Sequence, residues 1–579
     1  MAGLGAALFY YLINLSSQFF LGQIAGLTLP TEGSLNPVDL RWSSAFPRIL
    51  LVPAVMVLGG LIVGALAWRF APEIGGHGTD ATIHAFHYDA GKVRARVPIL
   101  KTLASAITLG TGGTGGREGP VSQIGGGFGS LWADFVGLTD RERRVALATG
   151  MGAGIGAIFR APLGGAVYAA EILYTGDFEP DVFVPAIIAS VVAYSIYSTI
   201  FGFHTLFATP AALAGYAFDP ARLPLFAILG IVCGGAGIFF AFMYRRTESW
   251  FRRLKGPGLL RPAVGAALAS AIFLVVYFAL PEQAHFAALS SLSIGYGFVQ
   301  VALLGMLSPG SFTLLVVVVL LAAIFLRMGM TSLVVGSGGS AGLFGTSVVV
   351  GAFLGTIVGG VFHTLFPSLV PLVVVSVFSI VGMMSFFGGI SKAPLAVLIM
   401  VVEMAGSYTV LPAAMVSIFV AYVVTGGAHL YTEQLPTRLQ SPAHRDEYRR
   451  YFRSETPISE IAELESETVA PQMKVSEATE LAVTHGHAVL SVEANGSWLG
   501  AVQLSDLLAV PADRRLDTPI ADLVQPVPLM LSGDLTAVEA LAQMNDHQAN
   551  MAAVLTTEAP IRVRGLVTRR GVRTLEDLP

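Results

Sequence analysis

The chain has 579 residues, of which 54% are hydrophobic and only 12% charged, with a net charge of −4 and one cysteine. Since a soluble protein of this length normally carries about a quarter charged residues, the composition argues against an ordinary soluble enzyme. The acidic net charge gives no sign of a nucleic-acid partner, and a single cysteine, Cys233, excludes a disulfide framework and a thiolate metal site.

The charges are unevenly distributed along the chain. From Ser441 onward about 23% of the residues are charged, against about 9% before it. This shift predicts a large membrane domain followed by a soluble domain. The expected boundaries are 1–440 for the membrane domain, with halves of about 1–205 and 215–440, then 441–456 for a linker and 457–579 for the soluble domain.

Eight apolar stretches are candidate membrane spans, and several are shorter than the roughly 20 residues that cross a bilayer. They are Ala6–Leu27, Ile49–Trp68, Phe183–Phe201, Leu223–Phe242, Ala263–Leu280, Phe312–Phe325, Leu369–Phe387 and Met415–Val424. Short, glycine-interrupted apolar segments are typical of transporters with broken helices. We therefore expect an all-α polytopic protein of the lipid bilayer, whose first apolar stretch is a retained helix rather than a signal peptide.

Two basic loops indicate the orientation in the membrane. Lys92–Lys101 and Arg245–Gly256 are rich in Lys and Arg, and such loops face the cytoplasm. We expect the charged C-terminal domain on the same side, and the protein in a bacterial inner membrane.

The membrane domain contains an internal repeat. Gly110–Gly129 (GTGGTGGREGPVSQIGGGFG) aligns without gaps to Gly336–Gly355 (GSGGSAGLFGTSVVVGAFLG), and seven glycines coincide. Arg160–Glu171 (RAPLGGAVYAAE) likewise matches Lys392–Glu403 (KAPLAVLIMVVE). The two matched pairs predict a duplicated membrane domain with its substrate site where the halves meet. In this alignment Glu118 lies opposite Phe344, so only the first half supplies a carboxylate.

The glycine loops predict an anion site. Glycine lets backbone N–H groups approach a ligand closely, and Pro120 suits the first turn of a helix. Helix N-termini carry unpaired N–H donors and partial positive charge, so two converging N-termini can replace the hydration shell of an anion. An ionisable residue within a membrane is a functional candidate. Ionised, Glu118 can occupy the position of the anion, and protonated or displaced it leaves the pathway open.

The glycines fit a cofactor loop or a packing motif less well. Gly110–Gly115 matches the dinucleotide fingerprint G-x-G-x-x-G, but no βαβ pattern surrounds it. A phosphate-binding loop would need Lys followed by Ser or Thr where this chain has Arg117 and Glu118. Glycines in membrane helices also permit close packing, which explains one loop but not two equivalent loops with a glutamate in one of them.

Together these residues resemble the CLC chloride channels and proton/chloride exchangers. The resemblance rests on GREGP (Gly116–Pro120), GLFGT (Gly342–Thr346), the paired APL…E segments and LYTEQ (Leu430–Gln434). It implies a homodimer with a pore in each subunit, built from two inverted halves of short tilted helices, that moves chloride or other small anions. It implies that Glu118 is the gating residue and that the anion contacts are among His77, Gly78, Arg117, Gly119, Leu343, Phe344, Gly345 and Tyr431.

The chain departs from the family pattern near the first anion motif and in the second half. GHGTD (Gly76–Asp80) stands where the family usually has G-S-G-I-P, so His77 replaces the usual serine. Imidazole can donate to an anion and titrates near neutrality. Alternatively, His77 turns away, and Thr79 or Asp80 merely caps the following helix. Thr346 also replaces the usual proline.

A second departure concerns protons. Exchangers of the family carry an inner glutamate where this chain has Ile172. Glu171 precedes it, but one step along a helix turns a side chain by about 100°, and Glu403 occupies the matching place in the other half, so we expect a structural role for Glu171. We therefore favour a passive voltage- or pH-gated chloride channel, with a proton-coupled chloride antiporter as the alternative.

The soluble domain resembles a tandem CBS pair, which implies a cytoplasmic α/β module that often binds adenine nucleotides. Of the ribose-contact pattern G-x-x-T-x-x-D, Asp506 remains in the first copy and Thr568 in the second, but Gln503 and Gly571 break it. A dimerising or mechanical role is the alternative. A membrane enzyme or nucleotide sensor is a remote alternative, because the sequence shows no nucleophile–base pair or metal cluster, and we expect no other cofactor.

Overall fold

The computed structural model describes residues 1–36, 38–209, 213, 216–305, 312–445, 457–461, 467–495, 497–556 and 563–569. The chain divides into two compact units, Met1–Ala443 and His444–Pro579. The division falls three residues beyond the expected end of the membrane domain at 440. Most of the predicted linker, 446–456, lies outside the described residues.

The described residues of the first unit are mainly helical, with a short antiparallel strand pair, β1 (Leu27–Thr28) with β2 (Ser43–Ser44). Helix α1 continues through Ile24 as a π-helix. The α-helices of this unit are α1 (Ala2–Ser17), α2 (Val52–Arg69), α3 (Thr79–His87), α4 (Arg96–Gly110), α5 (Glu118–Val136), α6 (Asp140–Phe159), α7 (Pro162–Glu171), α8 (Pro180–Phe201), α9 (Leu223–Arg253), α10 (Arg261–Ala279), α11 (His285–Leu289), α12 (Tyr296–Gly305), α13 (Leu314–Gly336), α14 (Phe344–Leu365), α15 (Leu372–Ser391), α16 (Pro394–Ala405) and α17 (Leu411–Thr425).

Nine helical stretches of the described residues are long and apolar enough to cross a membrane. Eight overlap the apolar stretches found in the sequence. The ninth, Phe344–Leu365, is not among those apolar stretches, and its first half belongs to the glycine-rich repeat Gly336–Gly355. Large apolar side chains such as Phe242, Val275 and Phe419 remain exposed on these helices, as expected where a surface faces hydrocarbon.

The internal repeat is visible in the backbone. Helices α5 and α14 begin at Glu118 and Phe344, the residues that the sequence alignment sets opposite each other. In the loops before them, Gly112 and Gly338 adopt matching left-handed conformations, with φ of +97° and +104°. Such values are open to glycine and costly for other residues. The two loops therefore share one backbone plan.

The second unit contains two similar three-stranded sheets. In each, the first strand is parallel to the second and the second antiparallel to the third, with a helix after the first strand. This repeated α/β plan is the one that the resemblance to a CBS pair implies. Its elements are α18 (Ile458–Ile461), β3 (Thr468–Val469), α19 (Val475–His485), β4 (Val489–Ala494), β5 (Ser497–Gln503), α20 (Leu504–Ala509), β6 (Met530–Ser532), α21 (Ala537–Asp546), β7 (Met551–Leu555) and β8 (Val563–Thr568).

Candidate anion site

The two glycine loops meet through a reciprocal pair of backbone hydrogen bonds. The N–H of Gly116 donates to the carbonyl of Gly342 at 2.7 Å, and the N–H of Gly342 donates to the carbonyl of Gly116 at 2.7 Å. Helices α5 and α14 each begin two residues later. The N-termini of α5 and α14, one from each repeat, therefore lie close together inside the membrane unit, as the sequence predicted.

A third helix N-terminus reaches the same place. Gly78 caps α3 with a φ of +87°, and a Cβ atom at Gly78 would lie 2.8 Å from the carbonyl oxygen of Gly119. Side chains at either position would separate α3 from α5. The site is therefore built from three converging helix N-termini, the third of them at the GHGTD motif that the sequence comparison set at the first anion motif.

Glu118 is buried, and its carboxylate lies where these helix N-termini converge. Its Oε2 accepts the backbone N–H of Gly345 at 3.0 Å, and its Oε1 accepts the hydroxyl of Tyr296 at 2.5 Å. The carboxylate lies against Gly116, where any side chain would overlap it. A carboxyl group thus occupies the N-terminus of α14, the position that suits an anion.

On another side of the site, Tyr431 is buried with its ring centroid 5.4 Å from that of His77. The Asp80 carboxylate accepts the backbone N–H of Thr432 at 3.1 Å and its hydroxyl at 2.8 Å. Asp80 therefore fixes the segment that carries Tyr431 and makes no side-chain cap on its own helix α3.

His77 does not turn away from the site. Its side chain is buried next to Tyr431, and its Nε2 lies 3.4 Å from the Asp80 carboxylate. Its Nδ1 has no hydrogen-bond partner among the described residues. Neither Thr79 nor Asp80 caps α3 through its side chain, and an anion contact of the imidazole stays a prediction.

The second repeat contributes backbone and apolar surface. Leu343 caps α14 and Phe344 is its first residue, both buried. The Phe344 ring lies between Phe159 and Phe387, at centroid distances of 5.1 and 4.5 Å. Thr346, which replaces the usual proline, hydrogen-bonds through its hydroxyl to that of Thr331 in α13.

Arg117 lies directly before Glu118 and is fully buried. Its Nη1 donates to a Glu32 carboxylate oxygen at 3.2 Å. Its guanidinium carbon lies 5.4 Å from the ring centroid of Tyr10 and 5.3 Å from that of Tyr296, within the range of cation–π attraction. The Arg117 charge is thus paired with Glu32 and covered by aromatic rings.

Two further residues of the site, Tyr168 and Tyr296, were not predicted from the sequence. The Tyr168 hydroxyl, in α7, lies beside those of Tyr431, Thr79 and Ser122. Within the repeat it stands opposite Met400, so the comparison that singled out Glu118 would also have found it. Tyr296 carries no such signal, because no motif surrounds it.

The position of the family's inner glutamate is apolar here. Ile172 is fully buried, and the Gln434 amide donates to its carbonyl at 2.9 Å. The neighbouring Glu171 is bound to backbone N–H groups of α16. The Ile172 side chain has no group that binds a proton, and the Glu171 carboxylate is engaged by two backbone N–H groups.

The two nucleotide candidates lie in different surroundings. Asp506 accepts the Gln525 amide at 3.1 Å and lines a cavity of about 490 Å³. Thr568 ends β8 opposite Met551 and is not among the described residues that line that cavity. Gln503 makes no side-chain cap on α20, and Gly571 lies outside the described residues. Within the described residues, Asp506 and Thr568 therefore do not line one common cavity.

Several known proteins are similar to this chain in sequence. The chain is 28% identical over 413 residues to a protein of Klebsiella pneumoniae called H(+)/Cl(-) exchange transporter ClcA, covering 70% of this chain and 82% of the relative. It is 29% identical over 399 residues to the ClcA of Yersinia pestis, covering 68% and 78%.

Among solved structures, a slow cyanobacterial Cl-/H+ antiporter matches with a TM-score of 0.60 and 25% identity, covering 74% of this chain and 93% of that one. A eukaryotic CLC transporter shares the fold at 18% identity and a TM-score of 0.57, covering 98% and 96%. A sequence model described as "Voltage gated chloride channel" matches residues 59–426. The chain therefore belongs to the voltage gated chloride channel family and is an anion-transport membrane protein.

Proposed function

We propose that the protein exchanges chloride for protons across the membrane and that Glu118 is the group on which the two fluxes meet. One observation carries this proposal: the Glu118 carboxylate accepts the Gly345 N–H at the start of α14. Ionised, it fills the anion position. When it takes up a proton it becomes neutral, loses its preference for the helix N-terminus, and gives way to chloride. When chloride leaves, the carboxylic acid releases its proton and returns.

The comparisons favour exchange over the passive channel expected from the sequence. The curated relatives are called exchange transporters, and the 25% identical structure is called an antiporter. The comparisons therefore do not support the prediction of a passive channel. One observation still favours a channel as the second candidate: Ile172 is buried and apolar where exchangers carry the inner glutamate. Exchange in this chain then requires that protons from the cytoplasmic side reach Glu118 by another route.

The remaining site residues are proposed to bind the anion after Glu118 has moved. The backbone N–H groups of Leu343, Phe344 and Gly345 and the hydroxyl of Tyr431 would replace hydration without a fixed full charge, which permits release as well as binding. The His77 imidazole would donate in place of the usual serine hydroxyl.

The arrangement in the membrane is proposed on the same basis. The basic segments Lys92–Lys101 and Arg245–Gly256 are proposed to face the cytoplasm, with the C-terminal unit on that side. They are not loops as the sequence predicted, because most of the first lies in α4 and most of the second in α9. The protein is proposed to be a homodimer, with one pathway in each subunit, in a bacterial inner membrane.

The experiment is coupled flux in liposomes. Purified protein is reconstituted with high internal chloride, chloride efflux is started with the membrane potential clamped, and the external pH is recorded. Outward chloride movement that drives protons inward against their gradient supports exchange. Chloride efflux without proton movement identifies the passive channel, and vesicles that release no chloride contradict both candidates.

A further inference from the structure

The hydrogen bond between Tyr296 and Glu118 joins Glu118 to a segment that contains none of the predicted site residues. Tyr296 is the first residue of α12, lies 178 positions along the chain from Glu118, and is fully buried. Its hydroxyl donates to Glu118 Oε1, while Gly345 donates to Oε2. Both oxygens of the carboxylate are therefore held, one by the helix N-terminus and one by a side chain.

The turn that carries Tyr296 is fixed in place. The buried guanidinium of Arg327 donates to the carbonyl of Ser290 at 2.6 Å and also to those of Ser293 and Ile294. Gly295 adopts a φ of +80° directly against Arg327. A side chain at that position would meet both backbone strain and overlap.

The glycine loop before Glu118 holds the same turn from the other side. The hydroxyl of Thr114 donates to the carbonyl of Ser291 at 2.5 Å, and the N–H of Ser293 donates to the carbonyl of Gly112 at 3.3 Å. The loop that positions Glu118 thus also positions Tyr296. The two partners of the hydrogen bond are set against each other by one continuous network, so the Tyr296 hydroxyl has a fixed place.

Tyr296 also faces a cavity. A space of about 480 Å³ is lined by Tyr296, Glu32 and several polar side chains of the end of α1. The segment containing Glu32 precedes α2 in the chain, and the basic segment Lys92–Lys101 follows α2. Helix α2 can cross the membrane, whereas the nine residues of α3 are too short to cross back. With the basic segment on the cytoplasmic side, as proposed, the segment that contains Glu32 and lines this cavity lies on the outer side.

We propose that Tyr296 is a positioning residue that latches ionised Glu118 across the anion pathway and so sets the pH at which the pathway opens. This inference rests on the proposed role of Glu118. The phenol donates to the charged carboxylate, and a hydrogen bond to a charged group stabilises that form more than the neutral one. Protonation of Glu118 weakens the latch, and the side chain then leaves the N-terminus of α14.

Other charged and titratable groups face Glu118 and are unchanged by removal of one hydroxyl. On the elements packed around it, they are Arg117, Arg327, Tyr168 and Tyr431, with Glu32 behind Arg117 and Tyr296. Arg117 and Arg327 favour the ionised carboxylate throughout. The latch adds a hydrogen bond to this electrostatic background, so its loss is expected to shift the opening pH without abolishing the opening.

The test is chloride efflux from liposomes as a function of pH for Tyr296→Phe. Because the ionised gate loses a charge-assisted hydrogen bond, the rise in efflux with falling pH is expected to begin at higher pH, by about 1–2 units. The matched control is Tyr10→Phe, which removes a hydroxyl from another ring that contacts Arg117 but leaves Glu118 untouched. The control is expected to follow the wild-type profile.

A double variant separates a latch from a structural role. In a Glu118→Ala background, Tyr296→Phe is expected to change neither the rate nor the pH profile, because the group it acts on is gone. Superimposable profiles of wild type and Tyr296→Phe would overturn the proposal, as would an equal shift in Tyr10→Phe or a further effect in the Glu118→Ala background. If wild-type efflux moves no protons, the exchange proposal fails, whereas the latch is still judged by these pH profiles of chloride efflux.

Discussion

Glu171 and Glu403 cap each other's helices. The carboxylate of Glu171, at the end of α7, accepts two backbone N–H groups at the start of α16, at 3.1 and 2.7 Å. The carboxylate of Glu403, near the end of α16, accepts two at the start of α7, at 3.2 and 2.7 Å. The pair is symmetric between the repeats and ties the two halves of the membrane unit together.

This arrangement predicts the effect of neutralising either residue. Glu171→Gln and Glu403→Gln each keep one oxygen acceptor but lose the charge that favours a helix N-terminus, so each should reduce stability by about 1 kcal/mol. The measurement is thermal unfolding of the purified protein in detergent. Glu282→Gln, at an exposed position, is the control and should melt like the wild type.

The same variants test whether Glu171 carries protons. If its role is structural, the ratio of protons to chloride moved by the folded Glu171→Gln protein should equal that of the wild type. Loss of proton movement with an unchanged melting temperature would instead make Glu171 the inner proton relay and would contradict the capping role.

The repeat made much of this predictable from sequence. Because two halves with one backbone plan place equivalent residues in equivalent positions, the alignment of Glu118 with Phe344 located both helix starts. It also predicts a structural role for Glu171, matched by Glu403, and the two carboxylates make equivalent backbone contacts. A residue without a counterpart, such as Glu118, was then the specialised one.

The rest of the site depends on contacts between distant segments. Tyr296 reaches Glu118 only because Arg327 and the glycine loop fold the turn before α12 into place. Nothing in the sequence near Tyr296 indicates this, since a tyrosine between two glycines in an apolar chain fits equally well as an interfacial residue. The GHGTD motif indicated the contribution of α3, but not the approach of Gly78 to Gly119, because that approach involves backbone atoms alone.

The position of the His77 side chain predicts that it contributes to chloride binding. Its imidazole is buried beside Tyr431, with Nδ1 lacking a partner among the described residues. His77→Ala should weaken chloride binding about 3- to 10-fold, the effect of losing one hydrogen bond, while leaving the dependence on Glu118 intact. The check is the concentration dependence of chloride efflux, with His77→Ser as the variant that restores a donor.

Unchanged chloride dependence in His77→Ala would contradict a role for the imidazole in anion binding. A loss of efflux in both His77 variants, including the serine that the family usually carries, would indicate instead that the imidazole supports the fold through Asp80.

The residues of the C-terminal unit predict that adenine nucleotides do not stabilise the protein. Gln503 and Gly571 remove two of the expected contacts, while Asp506 already accepts the Gln525 amide. We therefore expect ATP to leave the melting temperature of the full-length protein unchanged. A stabilisation by ATP that disappears in Asp506→Ala would show that the cavity beside Asp506 binds a nucleotide after all.

The role of Glu118 is tested most directly by the pH dependence of chloride efflux in wild type and Glu118→Gln. In the wild type, efflux should rise as pH falls, because protonation releases the carboxylate from the N-terminus of α14. Glutamine cannot ionise, so Glu118→Gln should conduct chloride at a rate independent of pH and move no protons. A Glu118→Gln protein that retains the wild-type pH profile would contradict the assignment of Glu118 as the gate.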